Sequence, residues 1–164
     1  VKKVYFPREV LPLSIVLSNL VQFLLTFLIL IPALLLFKIN LGFPLLFLPL
    51  IIIFQTAFNL GLSFFLSAFN VFFSDVKHLL EIFLQVWFWL TPIIYPIDFV
   101  PERFQSLYKL NPSVLFVESY RNLLMNNIGI SLSNCVFLIL IGLSSFLLGH
   151  MVFNHYNKRF AEEI

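Results

Sequence analysis

Within seven positions the chain sets two carboxylates, an ammonium and an imidazole: Asp75, Lys77, His78 and Glu81. Such a set on one short segment could perform general acid–base chemistry at a membrane face, for instance on a lipid-linked sugar. The remaining histidines, His150 and His155, lie far along the chain, and the three form no metal-ligand pattern. All three read as solvated or interfacial residues on one side of a membrane. The five glycines are isolated and none precedes Lys-Ser or Lys-Thr, so no phosphate-cradling loop is encoded. If ATP supplies energy, another chain must bind it.

The surroundings of that charged segment decide what it belongs to. The 164 residues are 60% hydrophobic and 11% charged, with 22 phenylalanines and a mean hydropathy of +0.99. A soluble domain is nearer 45–50% apolar and about 25% charged. The chain therefore reads as an all-α integral membrane protein. A net charge of +2 is too small to argue for a nucleic-acid partner. The single cysteine, Cys135, excludes an intrachain disulfide and reads as a small packing residue. Position 1 is Val rather than Met, and Pro7, Arg8 and Glu9 interrupt any signal peptide, so the sequence reads as a C-terminal fragment.

Gaps between charges place the spans, since about 20 apolar residues cross a bilayer. Four are expected, at about residues 12–37, 45–69, 76–91 and 131–153. The third is short, roughly 24 Å long at 1.5 Å per residue, and relies on Lys77, His78 and Glu81 snorkelling at its start. Between the last two spans, residues 98–126 predict two short helices. One follows Pro101; the other starts at Asn111-Pro112, an N-cap followed by a proline that suits the first turn. The second carries an i,i+3 pair, Glu118 and Arg121. Both are too apolar for a free loop and too short to span, which predicts a re-entrant or interfacial hairpin. Lysine and arginine divide six against four, a bias that puts both chain ends in the cytoplasm.

Polar residues inside the spans recur at helical spacing. Ser14, Ser18 and Gln22 do so in the first span with Thr26, and Gln55, Asn59 and Ser63 in the second with Thr56, Ser67 and Asn70. Gly142, Ser145 and Gly149 form a small-residue stripe in the fourth. Such faces serve helix packing, or line a path for a hydroxyl-rich substrate. No charge lies deep in a span, which disfavours proton- or sodium-coupled transport. Trp87 and Trp89 are about 200° apart on a helix, so one belongs to an aromatic belt and the other faces protein or a pore.

Four segments together resemble the permease subunits of ABC-2 type exporters of polysaccharides and polyol phosphates (O-antigen, capsule, teichoic acid). They are Lys3 to Pro12 (KVYFPREVLP), Asn70 to Leu80 (NVFFSDVKHLL), Thr91 to Pro96 (TPIIYP), and Leu110-Asn111-Pro112 with Glu118, Tyr120 and Arg121. The resemblance implies six spans, of which these are the last four. It implies that Tyr5, Phe6, Pro7, Arg8 and Glu9 contact an ATP-hydrolysing subunit, with Asp75, Lys77, His78 and Glu81 in an inner-side loop. Pro92, Tyr95, Pro96, Asn111, Pro112, Glu118, Tyr120 and Arg121 then form an outer gate. Ser74 departs from the family pattern, which commonly has arginine there.

The expected function is the membrane-spanning subunit of an ATP-driven exporter of lipid-linked polysaccharide or polyol phosphate polymer in the bacterial cytoplasmic membrane. Its partners would be a second permease copy, two ATP-binding cassette subunits, the lipid-linked glycan and membrane lipids, with no nucleic acid. The chain itself would bind no cofactor; ATP and Mg would sit on the partner subunit. Ser14, Ser18, Gln22, Gln55, Asn59, Ser63, Trp87 and Trp89 are the candidates to line the path. An ABC-2 exporter of small hydrophobic molecules shares this architecture. A membrane enzyme acting on lipid-linked sugars, with Asp75 and His78 catalytic, is the rival from another class.

Overall fold

A computed structural model describes residues 9–72 and 76–160, and among them there are six α-helices and no strand. The first, α1 (Val10–Leu36), occupies the charge-free run after Glu9 and contains Pro32. It ends in a Schellman turn: Lys38 N–H donates to Leu35 O and Ile39 N–H to Leu34 O, both at 3.0 Å. Lys38 has φ 59°, a position that glycine usually fills because a Cβ there costs about 1–2 kcal/mol. A 3₁₀ turn (Phe43–Phe47), with Pro44 in its first turn, runs straight into α2 (Leu48–Phe72). The long α6 (Leu132–Phe160) closes the chain.

Among the described residues, three stretches are long and apolar enough to cross a membrane: Val10–Leu36, Phe43–Phe69 and Leu132–Tyr156. The helix at the expected third span, α3 (Val76–Trp89), has 14 residues. At 1.5 Å per residue it rises about 21 Å, short of a hydrocarbon core of about 30 Å. Its stop is local, because Pro92 disfavours helical geometry at Thr91 and removes a backbone donor. Two short helices follow, α4 (Glu102–Leu110) and α5 (Pro112–Leu124), after a 3₁₀ turn at Ile97–Phe99.

The α2–α6 pair is the backbone of the structure. Gly61 on α2 faces Ser145 and Gly149 on α6, and Gly142 lies under Phe54, so the two main chains touch. The Ser145 hydroxyl donates to Phe58 O at 3.0 Å across the contact. Helix α5 lies on this pair, burying Ile51, Phe58, Phe116, Leu123 and Leu138 in one cluster. Phe64, Ala68 and Phe153 form a second cluster further along. Helix α1 leans on α2 and buries Val16 and Phe27, with most of its surface uncovered; Leu28 and Ile29 are 71% and 72% exposed. Nearly all of α3 is uncovered too. Apolar faces of this extent require lipid or further helices.

Candidate functional site

The hairpin of α4 and α5 is built into the end of α3 by side chains that each do two things. Asn111 caps α5, its Oδ1 accepting from Ser113 N–H at 2.9 Å, while its Nδ2 donates to Thr91 Oγ1 at 3.0 Å. Thr91, 3% exposed, donates in turn to Trp87 O at 2.8 Å. Trp87 Nε1 donates to Ser113 Oγ at 2.9 Å. The tip of the hairpin is thus sewn to the last turn of α3. Replacing Asn111 with aspartate keeps the cap but removes the Nδ2 donor, and alanine removes both. A cap is worth about 1 kcal/mol, and an unmet buried partner about 1–3 kcal/mol. Thermal unfolding of the purified full-length protein should therefore rank wild type above Asn111→Asp, with Asn111→Ala lowest.

The first turns of α5 lie against the middle of α2 rather than its end. The Phe116 ring sits 5.7 Å from the Phe58 ring, and Phe58 falls past the midpoint of the stretch Phe43–Phe69. Helix α5 then climbs back, and Asn127 (φ 52°) accepts at Oδ1 from Gly42 N–H at 3.0 Å, beside the start of that stretch. A Cβ on Gly42 would meet that same oxygen at 2.5 Å, so a larger residue there would push the Asn127 amide aside.

Arg121 organises the segment between α3 and α4. Its Nη2 donates to the carbonyls of Pro92 at 2.7 Å, Tyr95 at 3.1 Å and Ile93 at 3.3 Å, while Nη1 pairs with Glu118. One planar guanidinium thereby satisfies three main-chain oxygens that no regular structure serves. The Tyr95 hydroxyl donates to Trp89 O at 2.8 Å, with the Tyr108 hydroxyl 3.3 Å away. Pro92 is fully buried, and Pro96 caps the 3₁₀ turn. Tyr120 projects the other way: its ring lies 5.8 Å from Phe23 and 5.9 Å from Phe27 on α1, and its hydroxyl donates to Gln55 on α2.

Gln55 also lines a groove of about 420 Å³ between α1 and α2, where Thr56, Asn59 and Ser63 line the α2 side. The polar residue that α1 contributes is Asn19. Ser14, Ser18 and Gln22 are exposed on another part of α1, and the Ser14 and Thr26 hydroxyls bond back to Leu11 O and Gln22 O. A second cavity, of about 910 Å³ and largely aromatic, separates α3 from α4; Phe83, Trp87, Phe104 and Tyr108 are among its walls.

Several expected site residues lie elsewhere. Tyr5, Phe6, Pro7, Arg8, Ser74 and Asp75 fall outside the described residues. Glu9 precedes α1, its carbonyl accepting from Leu13 N–H at 3.2 Å. Lys77 is in the first turn of α3. His78 and Glu81 are exposed and 3.7 Å apart. Trp89 is 58% exposed, whereas Trp87 faces the hairpin. His150 is not a solvated histidine: its ring stacks on Phe146 at 5.9 Å, it contacts Phe64, and Nε2 lies 3.0 Å from Asn154 Nδ2. Sequence reasoning gave no role to Asn19, Ser113 or Tyr108. Asn19 alone left a signal, as an amide in an apolar helix.

The profile of a family described as ABC-2 type transporter matches residues 1–125. Two O-antigen export system permease proteins RfbA from Klebsiella pneumoniae are each 32% identical to this chain, over 166 and 163 residues. Both alignments cover 99% of this chain and 62% of the relative. A protein of the same name from Myxococcus xanthus is 35% identical over 125 residues, covering 73% of this chain and 46% of its own length. The chain thus spans about 62% of the length of the Klebsiella relatives.

Proposed function

This chain belongs to the ABC-2 type transporter family, and on that premise we propose that it forms part of the membrane-spanning subunit of an ATP-driven exporter of lipid-linked polysaccharide or polyol phosphate polymer. The observation that carries the substrate class is its alignment, over 99% of its length, with relatives named as O-antigen export permeases. Two copies pair around the path, and two ATP-binding cassette subunits dock on the cytoplasmic face near Tyr5–Glu9. ATP and Mg reside on those subunits.

In this reading α4 and α5 re-enter the membrane from the outside, with Asn111 at the inner extreme. The contact of Phe116 with Phe58 at mid-span supports that depth. The polymer needs hydrogen-bonding surfaces that change little along its length, and the Asn19, Gln55, Asn59 and Ser63 face is of that kind. Tyr120 links the two parts, since Gln55 holds its hydroxyl while Arg121, the next residue, holds the chain after α3. Movement of α1 or α2 at the groove therefore reaches the outer hairpin through one side chain. The aromatic cavity between α3 and α4 favours a second reading, an exporter of small hydrophobic molecules.

Deleting the gene in its host and measuring surface glycan against the intracellular lipid-linked pool tests the choice. Surface glycan should fall and the intracellular pool rise, with the full-length gene restoring both. Unchanged surface glycan together with new sensitivity to hydrophobic drugs would overturn polymer export in favour of the second reading.

A further inference from the structure

We infer, resting on the export reading above, that the groove between α1 and α2 is a contact site for an uncharged glycan, so that the exported polymer is a neutral polysaccharide rather than a polyol phosphate. The groove encloses about 420 Å³, within the roughly 300–1,000 Å³ typical of small-ligand sites.

Unmet polar groups mark this surface. Asn19, Gln55, Asn59 and Ser63 line it, inside stretches apolar enough to cross a membrane. Among the described residues, the Asn19 and Asn59 carboxamides and the Ser63 hydroxyl have no hydrogen-bond partner, and Gln55 is engaged only at its carbonyl oxygen, by Tyr120. Thr56 differs, since its hydroxyl donates to Ile52 O at 2.7 Å. Lipid tails offer an amide nothing, so at this depth these groups require a hydrogen-bonding occupant. A carboxamide both donates and accepts, and so does a sugar hydroxyl.

Charge decides between the two polymers. Residues 10–37 and 39–74 contain no Asp, Glu, Lys or Arg, so neither helix brings a cation to the groove. The lining residues lie past the first turn of each helix, where main-chain N–H groups are already bonded within the helix. The devices that answer a phosphate are an arginine fork, a lysine or a helix N-terminus, and the lining holds none of them. A polyol phosphate would bring an anion here at every repeat and lose water without compensation. A neutral hydroxyl exchanges water for the amides.

The test reconstitutes the full-length permease with its ATP-binding subunits in proteoliposomes. Two polymers of similar length are supplied on the same lipid carrier, a neutral oligosaccharide and a poly(glycerol phosphate). ATP-driven transfer into the lumen is read as protection from added hydrolases. The neutral polymer should move at least tenfold faster. Asn19→Leu and Asn59→Leu should each slow it at least fivefold, while Thr26→Val, which removes a hydroxyl bonded within α1, should not. Asn59→Lys should speed the polyol phosphate and slow the neutral polymer, a gain that misfolding cannot imitate. Equal transfer of the two polymers, or no such gain in well-folded Asn59→Lys, would overturn the charge selection. Undiminished neutral transfer in both leucine variants would overturn the contact site, assigning the groove to another helix and leaving polymer export intact. Transfer of neither polymer, with transport of a hydrophobic dye, would sink the export reading itself.

Discussion

Replacing Gly149 with leucine is expected to destroy the α2–α6 pair and leave no monodisperse protein, and even alanine there should cost about 3 kcal/mol or more. A Cβ at Gly149 would stand 2.0 Å from Gly61 O and 2.6 Å from Gly61 C. Both are main-chain atoms of a packed helix, so no rotamer change relieves the clash and the helices must separate. Separation also breaks the Ser145–Phe58 hydrogen bond and loosens Phe64 against Phe153. Gly61→Ala should behave alike, since its Cβ would meet Ser145 C and O at 2.2 Å. Gly129→Ala is the control: its nearest neighbour would be Phe47 Cε2 at 3.8 Å, an ordinary contact. It should change stability by no more than about 0.5 kcal/mol. Fluorescence-detected size exclusion and thermal melts of the full-length protein read all four. Wild-type melting of Gly149→Ala would refute so close a crossing.

How much of this was legible in the sequence depends on whether the partners of a residue are local. The Asn111-Pro112 start of α5 was legible because a cap and its amide are two residues apart. So was the stripe of Gly142, Ser145 and Gly149, because spacing alone puts these residues on one side of a helix. Periodicity does not say which neighbour a stripe meets, and α1 shows the consequence. Ser14, Ser18 and Gln22 form a regular polar face, yet the groove takes Asn19 from α1. Serine and threonine can satisfy themselves on the preceding turn, as Ser14 and Thr26 do, so their presence mid-helix is a weak pointer to a partner. The Trp87–Ser113 bond, 26 residues apart, left no trace in spacing. The shortness of α3 was visible in Thr91-Pro92, but against four charge-delimited spans the described residues hold three helices long enough to cross.

Arg121→Ala should release the segment Pro92–Tyr95 and abolish function at near-normal protein levels. Three carbonyls rely on the guanidinium, two of them part-buried, and an acceptor left unmet away from water costs about 1–3 kcal/mol. Solvent reaching the freed segment would offset part of that cost. A net loss near 3 kcal/mol corresponds to roughly a hundredfold faster amide exchange at Ile93, Ile94 and Tyr95, at about 1.4 kcal/mol per tenfold. Arg121→Lys should recover little, because a single ammonium cannot hold Glu118, as Nη1 does, while also reaching the carbonyls that Nη2 serves. Glu118→Gln should be milder: a neutral amide oxygen still accepts from Nη1, and the three carbonyl bonds stay in place. This ranking separates a clamp from a mere surface ion pair, for which both partners would matter equally and by at most about 1 kcal/mol. Hydrogen exchange on the purified full-length protein reads the clamp directly, and, on the proposed glycan export, surface glycan per unit of permease reads its consequence. Normal exchange in Arg121→Ala would refute the clamp. Fast exchange with undiminished export would leave the clamp standing and remove the hairpin from the transport cycle.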